Sequence, residues 1–120
     1  MSLQATAYRF VEMCNQLKNF DVMRTMYAPD IVSVEGDGAE TKGQQPVIRK
    51  SEIWQSQNDI HSEKVRGPYF SGPNQFAAHF TFDITRKSTG ERSTIEEVGL
   101  YTVSKDDKIT REQFFYDGEH

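Results

Sequence analysis

Five apolar residues at every second position, Phe76, Ala78, Phe80, Phe82 and Ile84, alternate with Ala77, His79, Thr81, Asp83 and Thr85. That period belongs to a strand with one apolar and one polar face. A sheet face carrying three phenylalanines must be covered, and only helices can supply the cover here. Leu3, Ala7, Phe10, Cys14 and Leu17 recur at three- and four-residue steps, with Val11 widening the stripe. This spacing predicts an amphipathic helix over about residues 3–18.

The chain between these two patterns reads as alternating short elements. Asn19-Phe20-Asp21 breaks the first helix, and Asp21 caps a second, shorter one through Tyr27. Ala28-Pro29-Asp30 ends that helix, because the residue before a proline disfavours the helical region. Ile31 to Glu35 reads as a short strand, and the polar stretch Gly36 to Gly43 as a loop. Pro46 stands where a third helix starts, with Val47, Ile48, Ser51, Ile53, Trp54 and Ile60 on its apolar side. From His61 onward strand periodicity takes over: about 62–70, the Phe76 strand, about 92–104 and about 109–116. Lys87-Ser88-Thr89-Gly90-Glu91 and Lys105-Asp106-Asp107-Lys108 are the turns between them. Helices first and hairpins afterwards predict an α+β fold. The expected architecture is a curved antiparallel sheet, a cone-like half barrel, wrapped around three N-terminal helices.

At 120 residues the chain has room for one domain, residues 1–120. Its net charge of -4, with no basic block, argues against nucleic acid or an anionic membrane as partner. No apolar run reaches the roughly 18 residues of a membrane span, and Met1-Ser2-Leu3-Gln4 lacks a signal-peptide pattern. A single cysteine, Cys14, excludes an internal disulfide and fits the cytoplasm. No His-x-x-x-His spacing, Gly-x-Ser-x-Gly, phosphate loop or dinucleotide fingerprint occurs, so neither a metal nor a cofactor is expected.

Three stretches carry a family resemblance across the chain. They are Met26-Tyr27-Ala28-Pro29-Asp30-Ile31-Val32, Lys42-Gly43 with Val47-Ile48, and Asp107-Lys108-Ile109-Thr110-Arg111-Glu112. With the element order, they make the chain resemble the nuclear transport factor 2-like superfamily, and within it the SnoaL-like branch. That superfamily includes ketosteroid isomerases, polyketide cyclases, scytalone dehydratase, limonene epoxide hydrolase and non-catalytic binding or dimerisation modules. The resemblance implies a sheet curled around an apolar pocket and a homodimer packed through the outer sheet face. One fold with many chemistries leaves function to the site.

Candidate site residues follow in part from that resemblance. Glu35 falls where ketosteroid isomerases carry their carboxylate base; its plainer reading is a solvated strand-end glutamate. The positions of that enzyme's two hydrogen-bond donors look like Met13 and Gly99 here, neither of which donates. Glu97, Gly99, Tyr101 and Val103 would face the cavity, leaving Val98, Leu100 and Thr102 for the outer face. On the last strand Glu112, Phe114 and Tyr116 share a face, so Glu112 is either a second cavity carboxylate or half of a rim ion pair with Arg111. Tyr8, Met13 and Trp54 are candidate pocket walls, Trp54 and Met13 having plain core as the alternative. His61 is placed at the pocket mouth, His79 on the outer face and His120 at the mobile end; Cys14, on the buried stripe, reads as inert. Asp83, Arg111 and Asp117 lack the spacing of an Asp–Arg–Asp hydrolase set.

Two functions follow. The first is a pocket for a small apolar organic molecule, catalytic through Glu35, Glu97 and Glu112 in isomerisation, cyclisation or dehydration. The second is a non-catalytic ligand-binding or dimerisation module. An open cavity beside Glu35 favours the first. A cavity plugged by Trp54, Phe114 and Tyr116 favours the second.

Overall fold

The computed structural model of the protein describes residues 2–117. The element order is α1 (Leu3–Asn15), α2 (Asn19–Met26), β1 (Tyr27–Val34), β2 (Glu40–Lys42), α3 (Gln44–Gln57), β3 (Asn58–Ser71), β4 (Gln75–Arg86), β5 (Arg92–Val103) and β6 (Ile109–Phe115). One six-stranded sheet runs β2-β1-β6-β5-β4-β3. The long hairpins from β3 to β6 are antiparallel, as the alternation requires. The sheet is mixed rather than wholly antiparallel, because β1 lies parallel to β6. That parallel pair brings the N-terminal strand, the one threaded between helices, onto the edge of the hairpin array.

The alternating face of β4 packs inward on α1. Phe10 of α1 is the meeting point. Its ring lies 5.3 Å from Phe76, 6.4 Å from Phe80 and 4.5 Å from Tyr101. Aromatic pairs at such separations add about 0.5–1.5 kcal/mol each beyond area burial. Asn15, at the end of the same helix, donates to the carbonyl of Val65 and accepts from its N–H, which clamps α1 to β3.

Several boundaries differ from the periodicity. The first helix stops at Asn15, two residues before Leu17, whose φ of 63° leaves the helix and whose side chain is 65% exposed. The second helix already starts at Asn19, with Lys18 at its N-cap, so Asp21 sits in its first turn instead of capping it. The glycine-bearing stretch read as loop contains β2, which pairs with β1 from Val32 to Val34. Ile60 belongs to β3 rather than to the third helix, whose Ile53 points outward.

On β5 the inward side is Glu97, Gly99, Tyr101 and Val103, and Val98, Leu100 and Thr102 look outward. Gly99 is the constraint there. A Cβ at this position would lie 2.6 Å from the Tyr101 hydroxyl and 2.8 Å from its Cζ. The missing side chain is the space into which the Tyr101 ring folds. Gly99→Ala is therefore expected to destabilise the protein by about 1–3 kcal/mol, the usual cost of overpacking. Urea unfolding followed by circular dichroism measures it.

Candidate functional site

Between the curled sheet and the helices lies a cavity of about 520 Å³. Its wall takes residues from every long element, because three periodicities converge on it. In β1, Ile31, Ser33 and Glu35 alternate inward; Ile31 and Ser33 are fully buried and Glu35 reaches the cavity. In α3, Lys50 stands three residues after Val47 and four before Trp54, on the face turned toward the sheet. In β6, Glu112 and Phe114 share the inner face, and Tyr116 continues it just past the strand.

The polar groups form a connected chain. Lys50 Nζ lies 2.5 Å from Glu35 Oε1 and donates to Ser33 Oγ at 2.7 Å. Ser33 in turn hydrogen-bonds Glu112, which also accepts from the Tyr27 hydroxyl. On the other side the Tyr116 hydroxyl donates to Glu35 Oε2 at 3.1 Å. The Tyr116 ring rests on Gly36, where a Cβ would come within 2.9 Å of it. Lys50 also stands 5.9 Å above the Phe114 ring.

Burial acts on the remaining carboxyls. Glu97 is pushed up to about 8, first by desolvation and then by the negative charges of Glu35 and Glu112. Glu63 of β3 is pushed up to about 7 by desolvation, against the opposing hydrogen bond from Asn19. Glu112, only 2% exposed, is raised by desolvation despite its hydroxyl donors. The phenols of Tyr27 and Tyr101 are raised well above their usual value, chiefly by burial. Cys14 also meets the cavity, and burial drives its thiol pKa far upward, which leaves it neutral and inert.

The three sequence-derived carboxylates, Glu35, Glu97 and Glu112, thus stand on one cavity wall, with Trp54, Tyr101, Phe114 and Tyr116 among its rings. Glu112 is not half of a rim pair with Arg111: it is buried, and its partners are Tyr27 and Ser33. Two wall candidates are corrected. Tyr8 is 59% exposed on the outer side of α1, its ring 6.1 Å from Phe70. Met13 packs against the core instead of the cavity, since it flanks the stripe defined by Phe10 and Cys14. His61 is also displaced from the pocket mouth. A register shift between Ile60 and Ser62 turns Ile60 inward and His61 outward, where it meets Thr85 Oγ1 at 2.7 Å. His79 lies on the outer face between Arg66 and Glu96. Asp83 is spent on Arg92, away from Arg111. His120 lies outside the described residues.

Sequence reasoning missed Lys50, Ser33, Tyr27 and Glu63. Three of them carried a usable signal. Lys50 keeps helical step with Val47 and Trp54, Ser33 keeps strand step with Ile31 and Glu35, and Glu63 stands two residues before buried Val65. Among the described residues no group of three or more His, Cys, Asp or Glu side chains has the geometry to hold a metal. Among them, too, no helix is long and apolar enough to cross a membrane.

An α+β cone whose sheet and three helices enclose such a cavity is the nuclear transport factor 2-like architecture. The chain belongs to the SnoaL-like family: the model of the SnoaL-like domain matches residues 1–116. A crystal structure from Mesorhizobium loti, named as a candidate SnoaL-like polyketide cyclase, is 40% identical. The match covers 97% of this chain and 100% of that one, with a TM-score of 0.91. A candidate isomerase from Bacillus subtilis shares the fold at 14% identity and a TM-score of 0.77, over 98% of this chain and 90% of the other. So does a Mycobacterium tuberculosis protein crystallised with estradiol-17β-hemisuccinate, at 19% identity and a TM-score of 0.74, over 98% and 95%. No curated protein matches the chain.

The raised carboxyls make stability depend on pH with a definite sign. Between the ordinary glutamate value of about 4.3 and about 8, the folded protein keeps protons on Glu63 and Glu97 that the unfolded chain releases. Their contribution is full below that window and is lost as pH rises through it. Thermal unfolding across the window is expected to show Tm falling toward high pH, and Glu97→Gln to flatten the slope.

Proposed function

We propose that the cavity binds a small, largely apolar organic molecule and moves a proton on it beside a carbonyl group. The observation that carries this reading is Glu35, an acid with its own counter-ion, facing the cavity together with carboxyls that burial keeps protonated. A carboxyl paired with a lysine beside a second one that burial keeps protonated is the usual division into base and acid.

In this reading the Glu35 carboxylate removes a proton from the carbon next to the carbonyl. The C–H electron pair moves into the new carbon–carbon double bond, and negative charge collects on the carbonyl oxygen. Glu97, protonated below about 8, and the Tyr101 hydroxyl donate hydrogen bonds to that oxygen. Donors of this kind contribute about 2.7–4 kcal/mol each to transition-state stabilisation. In a substrate with a β,γ carbon–carbon double bond the charge extends over a dienolate, and Glu35 then returns the proton to the γ-carbon as the double bond shifts to α,β and the carbonyl re-forms, which completes an isomerisation. The two donors flank Gly99, so the apparent loss of a donor at that position is offset by its neighbours. Lys50 and Ser33 connect Glu35 to Glu112 by hydrogen bonds, and Tyr116 holds its second oxygen. Trp54 and Phe114 supply apolar wall. The mycobacterial protein of the same fold was crystallised with estradiol-17β-hemisuccinate, an organic molecule whose steroid body, apart from its charged tail, is apolar. A cavity of about 520 Å³ lies in the ordinary range for organic ligands.

Deuterium uptake at the carbons beside the carbonyl of 2-tetralone, followed by NMR, tests the chemistry. The wild type is expected to accelerate exchange over buffer, and Glu35→Gln to lose at least about 100-fold of that acceleration. Binding of 2-tetralone without any acceleration would leave only the ligand-binding module.

The same proposal includes a homodimer through the outer sheet face. Val98 and Phe115 are cross-strand partners there, 37% and 50% exposed, and Leu100 extends the apolar patch. Sedimentation is expected to give a dimer at micromolar concentration, and the double variant Val98→Asp, Phe115→Asp a monomer.

A further inference from the structure

We infer that the ligand carries a basic nitrogen, and that Glu63 at the α1–α2 end of the cavity receives it as an ammonium. The wall of this cavity is one-sided in charge. It holds the carboxyls of Glu35, Asp37, Glu63, Glu97 and Glu112, whereas Lys50 is the sole lysine or arginine among the described residues lining it. Lys50 is already committed, at 2.5 Å to Glu35 and 2.7 Å to Ser33. An anionic ligand therefore meets no available cation among these residues, while a cationic one meets an acceptor.

Glu63 is built for that role by its neighbours. Asn19 Nδ2 donates to its Oε2 at 2.9 Å, which fixes the carboxyl, and among the described residues its Oε1 takes no hydrogen bond and no lysine or arginine pairs with it. Directly across the β3–β4 ladder stands Phe82, which places the two side chains on one face of the sheet. The Phe82 ring stacks on Phe80 at 5.9 Å and meets Trp54 edge-on at 5.7 Å. A carboxylate beside aromatic rings in a desolvated recess is the environment that selects ammonium groups. A second feature indicates an occupant. The Tyr101 hydroxyl, on a residue only 1% exposed, faces the cavity with no side-chain hydrogen bond among the described residues. The implied ligand is an amino ketone or a similar amphiphile, its oxygen toward Tyr101 and its nitrogen toward Glu63. The oxygen end rests on the proposed function; the nitrogen end stands on Glu63 alone.

Calorimetric titration with three probes of one shape tests this: 2-naphthalenemethylamine, 2-naphthalenemethanol and 2-naphthoate. At about pH 8 the amine is still mostly protonated, and Glu63, pushed up to about 7 by burial, is largely ionised. Of the titratable groups facing Glu63, Cys14 and Tyr101 are raised far enough to stay neutral there, and Glu97 is half ionised. The amine is expected to bind roughly tenfold more tightly than the alcohol, the difference one charge-assisted hydrogen bond makes, and the carboxylate most weakly. Glu63→Gln keeps an acceptor for Asn19 and is expected to bring amine and alcohol within about twofold of each other. Equal binding of amine and alcohol by the wild type overturns the inference. So does an amine preference that survives Glu63→Gln and vanishes in Glu97→Gln. Since 2-tetralone has no nitrogen, intact exchange without amine preference overturns this inference alone. Intact amine preference without exchange overturns only the catalytic reading.

Discussion

The packing of Phe10 against the inner face of the sheet holds the cone together. One ring on α1 touches Phe76 and Phe80 of β4 and Tyr101 of β5, so the helix, the two central strands and the back of the cavity share a single contact point. Deleting a buried phenylalanine side chain generally costs about 3–5 kcal/mol. Here the loss would also free Tyr101, whose position depends on Phe10 on one side and on the bare backbone of Gly99 on the other. Stability and site geometry are therefore not separable in this part of the molecule.

The cavity owes its chemistry to the conflict between burial and charge. A chain with eighteen acidic residues has turned four glutamates and Asp37 toward one cavity and, among the described residues, supplied one lysine. The protein resolves the excess in two ways. Glu35 takes the lysine, and Glu63, Glu97 and Glu112 shift toward the neutral form. Glu97, pushed up to about 8, can in this way donate a hydrogen bond at ordinary pH, which a solvated glutamate cannot do. The raised acids also make the site expensive to keep folded under alkaline conditions.

The order of helices and hairpins was legible in the chain because both periodicities are long. Five alternating positions in β4 leave one consistent face, and the α1 stripe from Leu3 to Cys14 leaves one consistent side. The inward register of β5 was not legible in the strand's own residues, because Val98 and Leu100 are its more apolar pair; only the family resemblance pointed to Glu97 inside. The pairing of β1 was not legible. A short strand shows nothing of its partner in its own residues, and the parallel contact with β6 joins positions about eighty residues apart. The same limit hid the site's wiring. Lys50, Ser33 and Tyr27 look like ordinary polar residues until α3, β1 and β6 are brought together. His61 shows how one irregularity defeats pattern reading: a single register shift in β3 exchanges it with Ile60. Tyr8 failed for the opposite reason, being an aromatic on the solvent side of a helix whose other aromatic is at the core.

Trp54 is the chain's one tryptophan, and it stands on the cavity wall with its edge toward Phe82. The indole emission of the whole protein thus originates beside the space a ligand would fill. Filling it would exclude water from around that ring, and the emission maximum would shift to the blue. The molecule carries its own optical gauge of occupancy, readable without a label and without knowing what the occupant is.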